Sequence, residues 1–179
     1  SELVRWDGTS AASFGRPGMI TGVSPSPDGK WLLVSIIERP FSYLVPYYNF
    51  PSRTEIWDLQ GKMVRLMLET PLRESLPRGY DVVIPGPRSF NWRNDRPASL
   101  MWVEALDEGD YHAKEMKYHD QVFMFEAPFT GEPAPFIATE KRFQGIIWGN
   151  KTLAILMEGL PKPRVRATST FSPASPQAT

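Results

Sequence analysis

The chain has 179 residues, enough for one domain with a buried core. Its 41% hydrophobic and 22% charged residues are typical of a folded globular protein, and the absence of cysteine excludes disulfides and thiolate metal sites. Twenty basic residues balance twenty acidic ones, and no apolar run approaches the roughly 20 residues of a membrane helix. We therefore expect neither nucleic acid nor a membrane as a partner.

The 18 prolines and 13 glycines favour many turns over long helices. Short runs rich in β-branched and aromatic residues, bounded by polar turns, predict strands at 2–6, within 9–18, and at 19–23, 31–37, 54–59, 63–68, 88–92, 99–105, 121–126 and 135–138. All six tryptophans fall on predicted strands, and we expect them to pack in the core. The first residues lack a charged segment followed by an apolar one. No signal peptide is therefore expected within the chain, so either one was removed or the chain is a piece of a longer protein.

One hairpin pattern occurs three times, at 22–33 (GVSPSPDGKWLL), 90–105 (FNWRNDRPASLMWVEA) and 145–159 (GIIWGNKTLAILMEG). Each copy has a short strand, a polar turn and a longer apolar strand. Repeats of this kind favour a β-propeller, whose blades span about 40–50 residues, over a plain β-sandwich, which lacks them. Successive copies of the hairpin pattern lie farther apart along this chain than one blade length, so we interpret 38–53 and 106–120 as insertions.

These patterns predict an all-β fold: a partial β-propeller of about two four-stranded blades with flanking strands. The predicted propeller segment covers 1–160, with blade repeats near 19–68, 88–138 and 144–159. Residues 161–179 are poor in apolar residues and are expected to form a disordered, low-complexity tail, with a further strand at 165–171 as the alternative.

Several motifs in fixed order resemble the N-terminal β-propeller of the prolyl oligopeptidase family of serine peptidases. They are SPDGKWLLVSIIERPFSYLVP, TEIWDLQGKMVRLMLETPL, RSFNWRNDRPASLMWVEALDEGD and DQVFMFEAPFTGEP. The ERPFSYLVP and NWR…P…L.W.EA…GD segments are the most diagnostic, and they are most like the glutamyl endopeptidase branch of chloroplasts and bacteria. The resemblance covers about residues 1–159.

In that family a propeller caps a C-terminal α/β-hydrolase domain that carries a Ser-Asp-His triad. The resemblance implies that this chain is a slice of the cap, which shapes the access of a peptide substrate to a catalytic domain absent from the chain. The alternative is a stand-alone propeller-like binding module. Two blades outside a closed ring would expose apolar faces, so self-association of the isolated chain is expected.

No catalytic, metal or cofactor site is predicted. A nucleophile elbow needs Gly-x-Ser-x-Gly, and the nearest segment has Ser26 in place of the second glycine. The histidines, His112 and His119, lie seven residues apart in a charged segment without metal-ligand spacing, and both are expected at the surface. This chain alone is therefore not expected to be an enzyme.

Arg39 and Arg53 are the candidate substrate-binding residues. They lie in or beside the aromatic, proline-rich insertion 38–53. If the parent enzyme cleaves after glutamate, a guanidinium must pair with the substrate carboxylate, and arginine offers two parallel donors for it. The alternative is that these arginines pack on Tyr43 or cap loop carbonyls.

Overall fold

The computed structural model describes residues 1–75, 79, 81–112 and 115–176. These residues form thirteen strands and one 3-10 turn, Tyr47–Asn49. The strands are β1 (Leu3–Trp6), β2 (Ala11–Phe14), β3 (Met19–Pro25), β4 (Trp31–Ile37), β5 (Ser52–Asp58), β6 (Met63–Thr70), β7 (Arg88–Trp92), β8 (Ser99–Ala105), β9 (Asp120–Glu126), β10 (Ala134–Thr139), β11 (Arg142–Trp148), β12 (Ala154–Leu160) and β13 (Val165–Phe171). Among the described residues, no helix is long and apolar enough to cross a membrane.

The strands form four antiparallel sheets, each a meander in which sequence neighbours pair. Two sheets have four strands, β3-β4-β5-β6 and β7-β8-β9-β10. The hairpin β1-β2 and the three-stranded sheet β11-β12-β13 flank them. The prediction of an all-β partial propeller, with about two four-stranded blades and flanking strands, is confirmed.

The chain divides into two compact units, Ser1–Ser75 and Leu76–Thr179. In the first unit, Phe14 of β2 packs with Val34 and Ile36 of β4 and with Trp57 of β5. Every side chain of β4 is buried or half-buried, so both faces of this strand are shielded from water. This agrees with its apolar sequence on both faces.

Two glycines at positive φ in the first unit have different surroundings. Gly15 has φ of 70° and lies against the indole of Trp57, where no side chain fits. Gly29 has φ of 69° in the turn between β3 and β4, where nothing lies within 4 Å of the position that a Cβ would take. That turn is closed by the Ser26 N–H, which donates to the carbonyl of Trp31 at 2.8 Å.

In the second unit the core lies between two sheets. Side chains of β8, β9 and β10 pack against those of β11, β12 and β13 in one cluster: Met101, Val103, Val122, Met124, Ile137, Trp148, Ala154, Leu156 and Phe171. Buried Arg93 lies over Trp148, with its guanidinium carbon 3.8 Å from the ring centroid, and pairs with Asp95 at 2.8 Å. Face-to-face packing of consecutive sheets is what joins neighbouring blades.

The C-terminal segment differs from the expected disordered tail. Val165–Phe171 forms β13, which pairs with β12 along all of its length from Val165↔Leu160 to Phe171↔Ala154. Disorder is therefore wrong for this segment, and the alternative of a further strand is what the structure has. The physical reason is that β12 has a second edge of backbone donors and acceptors to satisfy. The predicted bounds of the propeller segment and of its blade repeats stay predictions. Residues 177–179 lie outside the described residues.

Four of the six tryptophans follow the predicted core placement, Trp31 is half-buried, and one is exposed. Trp57, Trp92, Trp102 and Trp148 are buried. Trp6 is 64% exposed on the short strand β1, so its placement in the core is wrong. Strand β1 pairs with β2 only, and the face that carries Trp6 is exposed. The sequence pattern of a strand does not show whether another element covers its face.

Candidate functional site

The insertion between β4 and β5, residues 38–51, forms a closed loop that we call the aromatic loop. Its ends are joined by the Glu38 N–H, which donates to the Pro51 carbonyl at 2.7 Å. Inside the loop, Asn49 is buried, and its carbonyl accepts the N–H of Arg73 at 2.9 Å. These bonds and the three prolines fix the loop without a ladder to neighbouring strands.

The aromatic loop presents large side chains to solvent. Tyr43 is fully exposed, and Leu44, Tyr47 and Tyr48 are each more than 60% exposed. The loop is fastened to the following segment by the Ser42 hydroxyl, which donates to Glu74 at 3.0 Å. Contiguous exposed apolar surface on an ordered loop marks an interaction site more often than an idle surface.

Arg39 is the cation of this loop. Its guanidinium carbon lies 5.2 Å from the centroid of the Phe41 ring, which in turn contacts Phe50 at 5.6 Å. Arg39 is exposed, and within the described part of the chain no carboxylate pairs with it. The side chain is thus positioned by an aromatic ring while its hydrogen-bond donors remain available to a ligand.

Arg53, the second predicted residue, has a different environment. Its Nε lies 3.2 Å from Oε1 of Glu55, and its Nη1 lies 4.0 Å from Glu38. Glu55 is fully buried and also accepts the Trp57 indole N–H and an Arg16 guanidinium N–H, each at 2.7 Å. Arg53 therefore serves to compensate a buried carboxylate, and Arg39 is the freer of the two candidates.

A second group of ionisable side chains lies in the second unit, and we call it the histidine cluster: Asp107, Tyr111, His119, Asp120 and Arg142. His119 is only 4% exposed, with its Nδ1 2.7 Å from Oδ2 of Asp107 and its ring stacked on Tyr111 at 3.9 Å. The prediction of a surface histidine is wrong for His119, because Asp107 and Tyr111 of the same charged segment enclose it. His112 is exposed.

Arg142 connects the two carboxylates of this cluster. Its Nη2 lies 2.9 Å from Asp107, its Nη1 lies 2.9 Å from Asp120, and its Nε donates to the Asp81 carbonyl at 3.0 Å. Asp120 also pairs with Arg88. The cluster fastens the segment 106–119 to the start of β9 and β11, so its arrangement is that of a buried structural network.

No group of three metal-ligating side chains with the geometry for an ion occurs among the residues that the structure describes. The cluster escaped sequence analysis because four of its members lie in the charged segment 106–120 without a recognisable spacing, and the fifth, Arg142, comes from β11. The available signal was charge at strand starts: Asp120 begins β9 and Arg142 begins β11, each beside apolar residues.

The cluster makes the second unit sensitive to acid. Burial alone would raise the pKa of Asp107, but hydrogen bonds from His119 and Arg142 outweigh burial and hold that pKa below its ordinary value of 3.8. A lowered pKa in the folded state means that the carboxylate contributes stability at pH values above its ordinary pKa. That contribution is lost as the pH falls through the folded pKa.

We therefore expect Asp107→Asn to lower stability at pH 7 by about 1–3 kcal/mol, and to lose less further stability than the parent chain between pH 5 and pH 2. Thermal melts across that range measure both effects. Asp110→Asn, an exposed change in the same segment, is the matched control and should follow the parent chain. Parallel melting curves for the parent and Asp107→Asn would contradict the expectation.

Comparison with known proteins connects this fold to a family. The chain is 39% identical over 173 residues, 96% of its length, to the probable chloroplastic glutamyl endopeptidase of Oryza sativa subsp. japonica. It is 39% identical over 175 residues, 97% of its length, to the probable chloroplastic glutamyl endopeptidase of Arabidopsis thaliana. The chain spans about 18% of the length of each of these curated relatives. No protein-family model matches it.

Among solved structures, an acylaminoacyl peptidase in complex with Z-Gly-Gly-Phe-chloromethyl ketone matches 96% of this chain and 26% of its own, with a TM-score of 0.50 and 14% sequence identity. At that identity the likeness concerns the fold. The open antiparallel meanders fit a partial β-propeller. The sequence relatives, both named as probable glutamyl endopeptidases, and the acylaminoacyl peptidase with a similar fold support the N-terminal propeller of a prolyl oligopeptidase-family peptidase.

Proposed function

We propose that this propeller segment shapes the access of peptides to the catalytic site of a glutamyl endopeptidase. In this proposal an α/β-hydrolase domain of the complete peptidase supplies the Ser-Asp-His triad, and the aromatic loop faces the substrate. The observation that carries the proposal is the exposed aromatic loop, in which the Arg39 guanidinium pairs with no carboxylate of the described residues. The relatives' names support a glutamyl substrate.

Arg39 is proposed to pair with the carboxylate of the substrate glutamate. A guanidinium offers two parallel donors that match the two oxygens of a carboxylate. The Phe41 ring holds the Arg39 side chain in place, so fewer rotamers are lost on binding. Arg53 is proposed to act indirectly, because Glu55 and Glu38 already surround its guanidinium and it supports the base of the same loop.

In the complete peptidase, Arg39→Gln is expected to lower kcat/KM for a glutamyl peptide by about ten- to a hundredfold. The loss of one charge-assisted hydrogen bond to a buried carboxylate is worth about 1.5–3 kcal/mol, which gives that range. For the matched glutaminyl peptide, kcat/KM should change little. Steady-state kinetics on both peptides measure the ratio.

Arg5→Gln provides the control, since it removes an exposed cation from the same unit but from strand β1. It should leave the ratio between the two peptides unchanged. Equal losses on both peptides for Arg39→Gln would mean that Arg39 has a structural role only. If Arg39→Gln kept the glutamyl peptidase activity and the ratio of kcat/KM between the two peptides, the proposed role of Arg39 would be wrong while the proposed function of the enzyme would stand.

A further inference from the structure

A cavity of about 480 Å³ lies in the second unit, where β12 turns into β13. Of the residues that the structure describes, five line it: Gln144, Leu160, Pro161, Arg164 and Arg166. These five side chains are two cations, one amide and two apolar groups, and none of them is acidic. Its volume lies within the range of about 300–1,000 Å³ of small-ligand sites.

An irregularity of the sheet places the amide there. Phe143 pairs with Glu158 and Gly145 pairs with Met157, so Gln144 is the extra residue of a β-bulge. Gly159 makes room for it, since a Cβ at Gly159 would lie 2.6 Å from Nε2 of Gln144. Bulges re-aim side chains in this way and are frequent beside binding sites.

Strand pairing and the turn place the two cations. Arg166 of β13 lies directly opposite Gly159, across which Gln144 extends. Arg164 closes the turn between the strands with φ of 63°, a backbone conformation that is uncommon for residues other than glycine. Leu160 is buried and forms, with Pro161, the apolar part of the lining.

The two cations have no carboxylate partner in the described part of the chain. Arg164 and Arg166 are exposed, and neither forms an ion pair with a carboxylate of the described residues. Arg142 offers the contrast, because it lies opposite the same Gly159 on β11 and is occupied by Asp107 and Asp120. One side of Gly159 therefore carries a guanidinium that is already paired with two carboxylates, and the other carries guanidinium groups that a ligand can reach.

We propose that this cavity binds the side-chain carboxylate of an acidic peptide. Arg164 and Arg166 would bind the carboxylate through paired N–H donors, the amide of Gln144 would add a donor, and Leu160 and Pro161 would contact the methylene groups of the ligand. A planar carboxylate on a short apolar stem matches this combination. The site is separate from the aromatic loop, and it does not depend on the proposed peptidase function.

The test is calorimetric titration of the full chain with acetyl-Ala-Glu-Ala-amide and with the matched glutamine peptide. We expect the glutamyl peptide to bind at least about tenfold more tightly, and Arg164→Gln/Arg166→Gln to remove that difference. Arg164→Lys/Arg166→Lys keeps the charge without the paired donors and should retain part of it. Added salt should weaken binding, since the cavity is open to solvent.

Arg96→Gln/Lys151→Gln is the matched control, because it removes two exposed cations of the same unit away from the cavity. It should bind like the parent chain. Equal affinity for the two peptides would overturn the proposal. If the control variant lost as much affinity for the glutamyl peptide as Arg164→Gln/Arg166→Gln, net charge alone would explain the binding, and the proposal would also be overturned. Inorganic phosphate that displaces the peptide at equal concentration would also overturn it, because the site would then bind any anion. Far-ultraviolet circular dichroism checks that each variant keeps its strands.

Discussion

Gly15→Ala is expected to destabilise the first unit by about 3 kcal/mol or more, because overpacking costs about 1–3 kcal/mol and left-handed backbone in a residue with a Cβ costs about 1–2 kcal/mol. At φ of 70°, the added methyl carbon would lie 2.1 Å from Cζ3 of Trp57. Trp57 is 1% exposed, and its indole N–H is bonded to Glu55, so the ring has no room to withdraw. Chemical denaturation followed by tryptophan fluorescence measures the loss.

Gly29→Ala separates the two causes of this effect. Its φ of 69° is almost the same as that of Gly15, but nothing lies within 4 Å of the new methyl group. It carries only the backbone cost, so we expect a loss of about 1–2 kcal/mol. Equal losses for Gly15→Ala and Gly29→Ala would show that the packing against Trp57 yields easily, contrary to its burial.

Arg142→Met is expected to destabilise the second unit by about 3–5 kcal/mol, the usual effect of removing one partner from a buried ion pair. The change keeps most of the aliphatic stem of the side chain but removes the donors to Asp107, Asp120 and the Asp81 carbonyl. Both carboxylates have side chains with no exposed surface, so water cannot replace the lost donors. Thermal and denaturant melts report the change in unfolding free energy.

Arg166→Met is its control, because Arg142 and Arg166 lie opposite the same residue of β12, Gly159. Arg166 is exposed and lacks a carboxylate partner among the described residues, so its loss should stay within about 0.5 kcal/mol. If Arg142→Met proved as mild as Arg166→Met, the histidine cluster would contribute no net stability.

Strand positions could be predicted where turn residues mark both ends. Trp31–Ile37, Arg88–Trp92 and Ser99–Ala105 have the same bounds in the structure as in the sequence analysis. Each lies between polar or glycine- and proline-containing turns, and each carries the period-two or fully apolar pattern of a strand. Val165–Phe171 carries polar residues at alternate positions, and only its partner β12 makes it a strand. Composition alone therefore favoured disorder there.

The candidate site was accessible from sequence only in part. The aromatic, proline-rich composition around Arg39 indicated an unusual loop, but it could not tell which arginine is occupied. Arg53 is occupied because it pairs with the buried carboxylate of Glu55. Arg16, 39 residues from Glu55 in sequence, pairs with the same carboxylate. Burial of His119 likewise depends on a ring at Tyr111 and a carboxylate at Asp107 that only the folded segment brings together. Such pairings follow from tertiary packing, which leaves no fixed spacing in the sequence.

The hydrogen bond that joins Glu38 to Pro51 separates the aromatic loop from the strands on either side, so the loop can be replaced without changing them. Strands β4 and β5 pair up to Ile37↔Ser52, and the Glu38–Pro51 bond follows directly after this last pair. The register of the sheet is therefore complete before the loop begins, and what lies between these two residues can vary in length and chemistry without shifting a strand. Loop closure becomes only slightly more costly as a loop lengthens. A blade built in this way can acquire a loop of different length and chemistry while its core sequence stays unchanged.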